Sequence, residues 1–222
     1  MMTDGALDLP RIVILISGTG SNMVAIADAV KNGAMDAMVA GVVCNRPDAA
    51  GMQYARDRDL PVELVDHKNF DSREDFDLAL MQAIDSFAPD LVVLAGFMRI
   101  LTPEFTRHYH GRMVNIHPSL LPKYQGLNTH QRAIDAGDDK AGVSVHFVTE
   151  ELDGGPVIAQ AVVNIDADET ANSLKAKVQK QEHVLYPIVV KWFIQGRLAM
   201  NNDGATIDGK PIPQSGLQLT DQ

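Results

Sequence analysis

The feature of this chain that most constrains its fold is an alternation of apolar runs with amphipathic segments. The runs at 12–16, 38–44 and 91–95 contain many β-branched residues, as is typical of strands buried on both faces. Apolar residues at helical spacing follow the first two runs, over 21–31 and 48–58. Repeated strand–helix–strand units predict an α/β fold with a Rossmann-like, mostly parallel sheet and helices on both faces.

Two further short strands and one capped helix fit the same pattern. We predict the strands at 62–65 and 113–116. Ser72 is a suitable N-cap for the helix, and Pro89 ends it.

The rhythm changes in the last third of the chain. Apolar runs at 143–148 and 157–163 flank a turn rich in glycine, which predicts an antiparallel pair at one edge of the sheet. A long helix is expected from about residue 170 to about residue 193, with Pro187 kinking it.

We predict a single domain over 11–200, preceded by an N-terminal extension (1–10) and followed by a C-terminal tail (201–222). The tail is polar and contains several glycines and prolines. We therefore expect a small turn or hairpin there, followed by a frayed end.

The charge and the cysteine content of the chain limit its possible binding partners and the cellular compartment in which it works. The chain has 29 acidic and 19 basic residues, a formal net charge of −10, and no run of Lys or Arg. This balance disfavours nucleic acid and anionic lipid as partners. The one cysteine, Cys44, cannot form a disulfide within the chain, which favours a reducing compartment such as the cytoplasm. No apolar stretch reaches about 18 residues, and residues 1–10 have no cationic region, so we expect neither a membrane span nor a signal peptide.

The first predicted strand leads into Ser-Gly-Thr-Gly-Ser-Asn at 17–22, just before a helix. Backbone amides at a helix start bind anions, and Ser21 and Asn22 add side-chain donors. Met23 stands where the dinucleotide fingerprint needs glycine, and a Walker lysine is missing, so a small monophosphate fits better than a dinucleotide. A plain strand-to-helix turn remains an alternative.

Asn115 and His117 lie two residues apart on a predicted strand, so their side chains project from one face near the carboxyl edge of the sheet. An amide and an imidazole together can stabilise an oxyanion and move a proton. A structural histidine is the alternative. A Ser–His hydrolase using Ser119 is weakly supported, because no G-x-S-x-G elbow occurs.

Two carboxylates complete the list of candidates. Asp153 precedes two glycines and would stabilise a protonated His117 if its loop folds against that ring; an acidic turn is the alternative. Glu182, at the margin of the long helix's apolar stripe, could bind sugar hydroxyls or simply face solvent. His108 and His110 have no third ligand nearby in sequence, so we predict no metal site.

Four segments carry a resemblance to a known family, at 16–22, 94–101, 115–124 and 144–156. Together and in this order, the four segments are highly specific to one family. The chain resembles the phosphoribosylglycinamide formyltransferase family, the folate-dependent glycinamide ribonucleotide transformylases of purine synthesis, from about Arg11 to about Arg197.

The resemblance implies the formyltransferase fold and transfer of a formyl group from 10-formyltetrahydrofolate to the amine of glycinamide ribonucleotide. It also implies a phosphate side in the N-terminal half and a folate and catalytic side in the C-terminal half. The catalytic residues it implies are Asn115, His117 and Asp153. The substrate contacts it implies are Gly20, Ser21 and Asn22 for the phosphate and Glu182 for the ribose. The folate contacts it implies are Arg73, Met98, Arg99, Ile100, Leu101 and Asn115.

Three positions depart from the family pattern. Gln125 stands where proline is expected, and Asn128 stands where histidine is expected, which puts a supporting role of that histidine in question. Thr19 replaces a frequent asparagine, a change that matters little where the backbone makes the contact.

Other classes stay open. Methionyl-tRNA formyltransferase looks similar around 115–122, but it carries an RNA-facing domain, and only about 25 residues follow Arg197 here. A formyltetrahydrofolate hydrolase would need a regulatory domain before Arg11. A non-catalytic nucleotide-binding module would use the glycine-rich loop alone. A monomer and a homodimer are both compatible with the sequence.

Overall fold

The computed structural model describes residues 9–219, which form a central sheet, a small second sheet and six α-helices. The strands are β1 (Arg11–Ile16), β2 (Met38–Cys44), β3 (Val62–Leu64), β4 (Leu91–Leu94), β5 (Met113–His117), β6 (Lys140–Phe147), β7 (Val157–Asn164), β8 (Leu198–Asn201), β9 (Gly204–Ile207), β10 (Lys210–Pro211) and β11 (Leu217–Leu219). The helices are α1 (Ser21–Lys31), α2 (Gly51–Arg56), α3 (Arg73–Ser86), α4 (Pro103–His108), α5 (Thr129–Asp135) and α6 (Ala171–Ile194).

The central sheet has eight strands in the order β11-β7-β6-β5-β4-β1-β2-β3. Strands β1 to β5 pair in parallel, β6 is antiparallel to both β5 and β7, and β11 pairs in parallel with β7. The predicted α/β fold and the predicted antiparallel pair, β6 with β7, are confirmed. β11 adds one more strand outside that pair.

Both faces of the sheet are buried because its strands alternate their side chains between two layers. In β1, Ile14 packs in a core with α1 and α6, whereas Val13 and Leu15 pack in a second core with α3 and α4. Phe76 of α3 and Phe105 of α4 are fully buried in that second core. Because helices cover both faces, we expect ligands at the carboxyl ends of the parallel strands, as in other open α/β sheets.

Helix α6 begins at a capping box, in which Thr170 Oγ1 accepts a hydrogen bond from the Ser173 N–H at 3.1 Å. It continues for 24 residues through Pro187 and packs along α1. No helix within residues 9–219 is long and apolar enough to cross a membrane.

Some local predictions were wrong. Helix α2 is shorter than the predicted 48–58 segment, and α4 and α5 were not foreseen. The predicted hairpin in the tail exists as β8–β9–β10, but the expected frayed end is wrong for Leu217–Leu219, because the open edge of β7 supplies hydrogen-bond partners there. Of the predicted N-terminal extension, residues 1–8 lie outside the described residues, as do residues 220–222 of the tail.

Candidate active site

Strand β5 places Asn115 and His117 on the same face, as the spacing predicts, close to the carboxyl end of the neighbouring parallel strand β4. The antiparallel partner β6 sets His146 directly opposite Asn115 and Ser144 opposite His117. The side-chain amide nitrogen of Asn115 lies 3.1 Å from Nε2 of His146. A polar row of Asn115, His117, Ser144 and His146 therefore crosses two strands whose other buried residues are not polar.

Asp153 reaches this row from the turn between β6 and β7. Its backbone has a φ of 49°, a left-handed conformation that aspartate tolerates better than most residues. Gly155 lets the turn approach β6, because a Cβ at this position would overlap the carbonyl oxygen of Phe147. The N–H of Gly126 donates to Asp153 Oδ2 at 2.9 Å, which fixes the carboxylate.

The structure thus brings Asn115, His117 and Asp153 together. Asp153 Oδ2 lies 3.4 Å from His117 Nδ1, and Oδ1 lies 3.7 Å from His146 Nε2. The side chains of His117 and Asp153 are 7% and 9% exposed. In such a dry setting, a charge on one group acts strongly on the other.

The ring of His117 has a defined tautomer. Its Nε2–H donates to the carbonyl oxygen of Tyr124 at 2.9 Å, so Nδ1 is the nitrogen that faces Asp153. A second proton, on Nδ1, would point toward the carboxylate. The 3.4 Å separation is longer than a normal hydrogen bond, which leaves such a proton available to a third acceptor.

His146 is held neutral by its surroundings. Burial lowers its pKa below the ordinary value of 6.5, more than its hydrogen bond to Phe147 and the charge of Asp153 raise it. Nδ1–H donates to the carbonyl oxygen of Phe147 at 2.8 Å, so Nε2 must accept, and Asn115 Nδ2 donates to it. The second N–H of that amide remains free for another acceptor.

Sequence reasoning did not single out His146. It is one of two histidines that flank the predicted carboxylate, and only the pairing of β5 with β6 shows its importance. Two polar residues at directly opposed positions of adjacent buried strands are the signal that could have found it.

The glycine-rich loop joins β1 to α1. Gly20 is the N-cap of α1 with a φ of 71°, and a Cβ there would lie 3.0 Å from the Cα of Gly51. The N–H of Gly51 donates to the Gly18 carbonyl oxygen at 2.9 Å, so the loop is braced against α2 without side chains. Gly18 and Thr19 are exposed at the start of α1, where backbone N–H groups favour an anion.

Helix α6 brings two side chains to this loop. Asn22 Nδ2 donates to Glu182 Oε2 at 2.7 Å, and Gln179 Nε2 donates to Ser21 Oγ at 3.0 Å. The predicted phosphate and ribose residues are therefore neighbours, although they are separated by about 160 positions in sequence. Gln179 was not predicted; its place three residues before Glu182, on the same helix face, is the signal for it.

Apart from Asn115 on β5, the predicted folate residues lie on α3 and on the segment 97–102 after β4. The side chains of Met98 and Ile100 are 67% and 59% exposed, an unusual exposure for large apolar groups next to a buried strand. The guanidinium of Arg99 lies 5.5 Å from the centre of the Phe76 ring. Arg73 is the first residue of α3, with its side chain 44% exposed.

Two of the three departures from the family pattern, Gln125 and Asn128, lie in the segment between β5 and α5. Gln125 Nε2 donates to the backbone carbonyl oxygen of Asp153 at 3.3 Å. Asn128 has a left-handed φ of 58° and stands at the N-cap of α5 without a side-chain cap. Gln125 thus contacts the turn that carries Asp153 in a way that proline cannot, because proline has no side-chain donor.

The side chains of His108 and Cys44 each have a polar partner within the fold. His108 Nε2 lies 2.8 Å from Asp85 Oδ2 at the surface, and Cys44 is buried with its thiol donating to the Arg46 carbonyl oxygen at 3.2 Å. Within residues 9–219, no group of three His, Cys, Asp or Glu residues is arranged to hold a metal ion.

Similarity to known proteins identifies the class of enzyme to which this chain belongs. Residues 10–190 match the family described as formyl transferase, and this chain belongs to that family. The predicted resemblance and the predicted enzyme class are confirmed.

Particular relatives narrow the class further. A phosphoribosylglycinamide formyltransferase of Escherichia coli (strain K12) is 52% identical over 206 residues, which cover 93% of this chain and 97% of that protein. The protein of that name from Haemophilus influenzae is 46% identical over 94% of this chain and 98% of its own length. A solved structure of the phosphoribosylglycinamide formyltransferase of Coxiella burnetii has a TM-score of 0.92 at 47% identity, covering 96% of this chain and 100% of that chain.

Proposed function

We propose that this protein transfers the formyl group of 10-formyltetrahydrofolate to the amine of glycinamide ribonucleotide in purine synthesis. The proposal draws on the formyl transferase family and on relatives named phosphoribosylglycinamide formyltransferase. One observation carries the proposal. The side chains of Asn115, His117 and Asp153 meet near the carboxyl end of β5, and those of His117 and Asp153 are almost fully buried.

The reaction needs no nucleophile from the protein. The substrate amine, in its neutral form, attacks the formyl carbon, and the carbonyl oxygen becomes negative as that carbon turns tetrahedral. The free N–H of the Asn115 amide and a protonated His117 donate hydrogen bonds to this oxygen. Because these two groups stabilise the charge, the proposed steps need no metal.

Asp153 has two tasks in this mechanism. Its carboxylate stabilises the positive His117 ring, which Tyr124 orients from the other side. It also takes the proton that the attacking amine loses, through water, so that a proton can reach the departing folate nitrogen. The Gly126 N–H holds the carboxylate in position for both tasks.

The substrates are placed on either side of the cluster. We assign the phosphate to the amides of Gly20, Ser21 and Asn22, and the ribose hydroxyls to Glu182, which already lies 2.7 Å from the amide of Asn22. We assign the folate to Asn115, to the backbone of residues 98–101 and to Arg73, a cation suited to a carboxylate. A cytoplasmic location, and a monomer or homodimer without nucleic-acid or membrane partners, remain predictions.

The direct test follows the absorbance of 10-formyltetrahydrofolate with purified protein, in the presence and in the absence of glycinamide ribonucleotide. The proposal expects consumption only when both are present, together with formylated glycinamide ribonucleotide as the product. Consumption without the amine substrate would instead indicate a hydrolase. No consumption in either case would refute the proposal.

A further inference from the structure

The segment that follows β4 is fixed at both of its ends by buried polar side chains. At its start, the N–H of Met98 donates to Ser17 Oγ at 2.8 Å. At its end, the N–H of Thr102 donates to Asp77 Oδ2 at 2.6 Å. Between these anchors, Met98 and Ile100 turn outward while Phe97 and Leu101 pack against the core. The backbone is thus fixed while its apolar outer surface stays open.

Asp77 is an unusual residue for this place. It lies on α3 and is 1% exposed, and Oδ1 is buried without a hydrogen-bond partner among the described residues. Burial raises the pKa of its carboxyl group, and the Thr102 hydrogen bonds and the charges of Arg73 and Arg99 only partly oppose this. A half-satisfied carboxylate costs free energy in a core, so packing does not explain its presence.

One face of α3 supports the whole segment. Arg73, Phe76 and Asp77 are spaced so that their side chains share that face. Phe76 lies under the guanidinium of Arg99, and Asp77 binds the backbone of Thr102. The helix that presents Arg73 therefore also sets the position of residues 98–101, which links the two parts of the folate site.

We propose that Asp77 is a positioning residue for 10-formyltetrahydrofolate, which holds the backbone of residues 98–101 in place through the N–H of Thr102. This inference rests on the proposed function, in which that backbone contacts the folate. Asp77 itself touches no substrate; its effect passes through the loop.

The kinetic test compares three variants of α3. Asp77→Leu fills similar space and removes the acceptor, whereas Asp77→Asn keeps an acceptor oxygen. Asp85→Asn is the matched control, because Asp85 lies on the same helix and accepts a hydrogen bond from the Tyr109 hydroxyl at 2.9 Å, away from the segment. Asp77→Leu should raise KM for 10-formyltetrahydrofolate by about tenfold, because binding must then order a segment that has lost one of its two anchoring hydrogen bonds. KM for glycinamide ribonucleotide should stay unchanged.

Recovery in Asp77→Asn separates positioning from a general loss of structure. Its KM for 10-formyltetrahydrofolate should lie close to the wild-type value, as should that of Asp85→Asn. Equal changes of both KM values in Asp77→Leu, or no change in either, would overturn the inference.

A second measurement does not depend on the folding of any variant. In the wild-type protein, hydrogen exchange at the Thr102 amide should be slow before ligand is added, and tetrahydrofolate should slow exchange at 98–101. A fast Thr102 amide refutes the role of Asp77. If tetrahydrofolate leaves 98–101 unchanged, the folate assignment itself is wrong and the inference fails with it. If tetrahydrofolate slows hydrogen exchange at 98–101 but Asp77→Leu leaves KM for 10-formyltetrahydrofolate unchanged, the folate assignment stands and only the role of Asp77 is refuted.

Discussion

The side chain of Asn115 donates to a histidine, His146, that lies directly across the β5–β6 pair, with 3.1 Å between Nδ2 and Nε2. Because the other ring nitrogen of His146 donates to the carbonyl oxygen of Phe147, the amide can bind in only one of its two orientations. A buried histidine thereby sets which atoms Asn115 presents to the open side of the site, where we propose that the substrate binds. Positioning of this kind reduces the reorganisation needed at the moment of reaction.

Asn115→Ala should lower kcat by about 100- to 1,000-fold, the usual cost of losing one oxyanion donor. KM for glycinamide ribonucleotide should change little, and KM for 10-formyltetrahydrofolate, which Asn115 also contacts in the proposal, should change less than kcat, because the interaction with the oxyanion forms fully only in the transition state. Steady-state assays with varied 10-formyltetrahydrofolate and glycinamide ribonucleotide measure this, with the thermal midpoint as a check on folding. Near-normal turnover in this variant would show that the site is assigned incorrectly.

His146 should make the stability of the protein depend on pH. Burial lowers its pKa below 6.5, so the folded chain binds fewer protons there than the unfolded chain, and the free energy of unfolding falls as the pH falls through that range. Between about pH 8 and about pH 5.5, the wild type should lose more stability than His146→Gln, which has no titrating ring. Urea denaturation at both pH values measures the difference.

The comparison of the wild type with His146→Gln also serves as its own control. All other titrating groups are shared by the two proteins, so a parallel loss of stability would mean that His146 does not titrate differently in the folded and unfolded chains. The His146→Gln variant should also lower kcat, because a flexible amide does not fix the orientation of Asn115.

Local pattern predicted the parts of the site that depend on local geometry. The strand period places Asn115 and His117 on one face, and the Ser-Gly-Thr-Gly-Ser-Asn segment marks the turn into α1. Helices α4 and α5 have six and seven residues, too few for helical periodicity to stand out. The residues alone leave the contact of Asp153 with His117 conditional on how its loop folds, and the family resemblance implies that contact.

The reason lies in tertiary packing. Asp153 reaches His117 because β6 runs antiparallel beside β5, and because the turn after β6 approaches Phe147 where Gly155 has no side chain. Neither fact is encoded in the residues next to Asp153. The contact between Glu182 and Asn22 likewise depends on how α6 packs along α1.

Asp153→Asn should keep the fold and lose most of the activity. The amide oxygen can still accept from the Gly126 N–H, but the negative charge that stabilises a protonated His117 is gone. Removing one partner in acid–base catalysis commonly costs about 100- to 10,000-fold, and we expect kcat to fall within that range. Asp208→Asn, which removes an equal charge from an exposed ion pair with Arg197 in the small sheet, should leave kcat unchanged. Equal activity of the two variants would contradict the role of Asp153.

Glu182→Gln should weaken the binding of glycinamide ribonucleotide but not that of 10-formyltetrahydrofolate. The amide can still accept from Asn22, but hydrogen bonds from ribose hydroxyls to a neutral oxygen are weaker than those to a carboxylate. We expect KM for glycinamide ribonucleotide to rise by about tenfold, in line with losing a charge-assisted hydrogen bond. KM for 10-formyltetrahydrofolate serves as the internal control; if it rises as much, Glu182 does not act on the ribose.

The two glycines after Asp153 should respond differently to the same change. A Cβ at Gly155 would overlap the backbone carbonyl oxygen of Phe147, which belongs to β6 and cannot move without distorting the sheet. The three atoms nearest to a Cβ at Gly154 all belong to the side chain of Glu151, which is exposed and can turn away. Gly155→Ala should therefore cost about 1–3 kcal/mol of stability, as overpacking usually does, and should shift Asp153 away from His117.

The activity of the two variants then tests whether the turn controls catalysis. Gly155→Ala should lower kcat more than KM, whereas Gly154→Ala should keep both the stability and the kcat of the wild type. Urea denaturation and steady-state kinetics on the same preparations give both quantities. If Gly155→Ala loses stability but keeps full kcat, the position of Asp153 is not set by the close approach of this turn to β6.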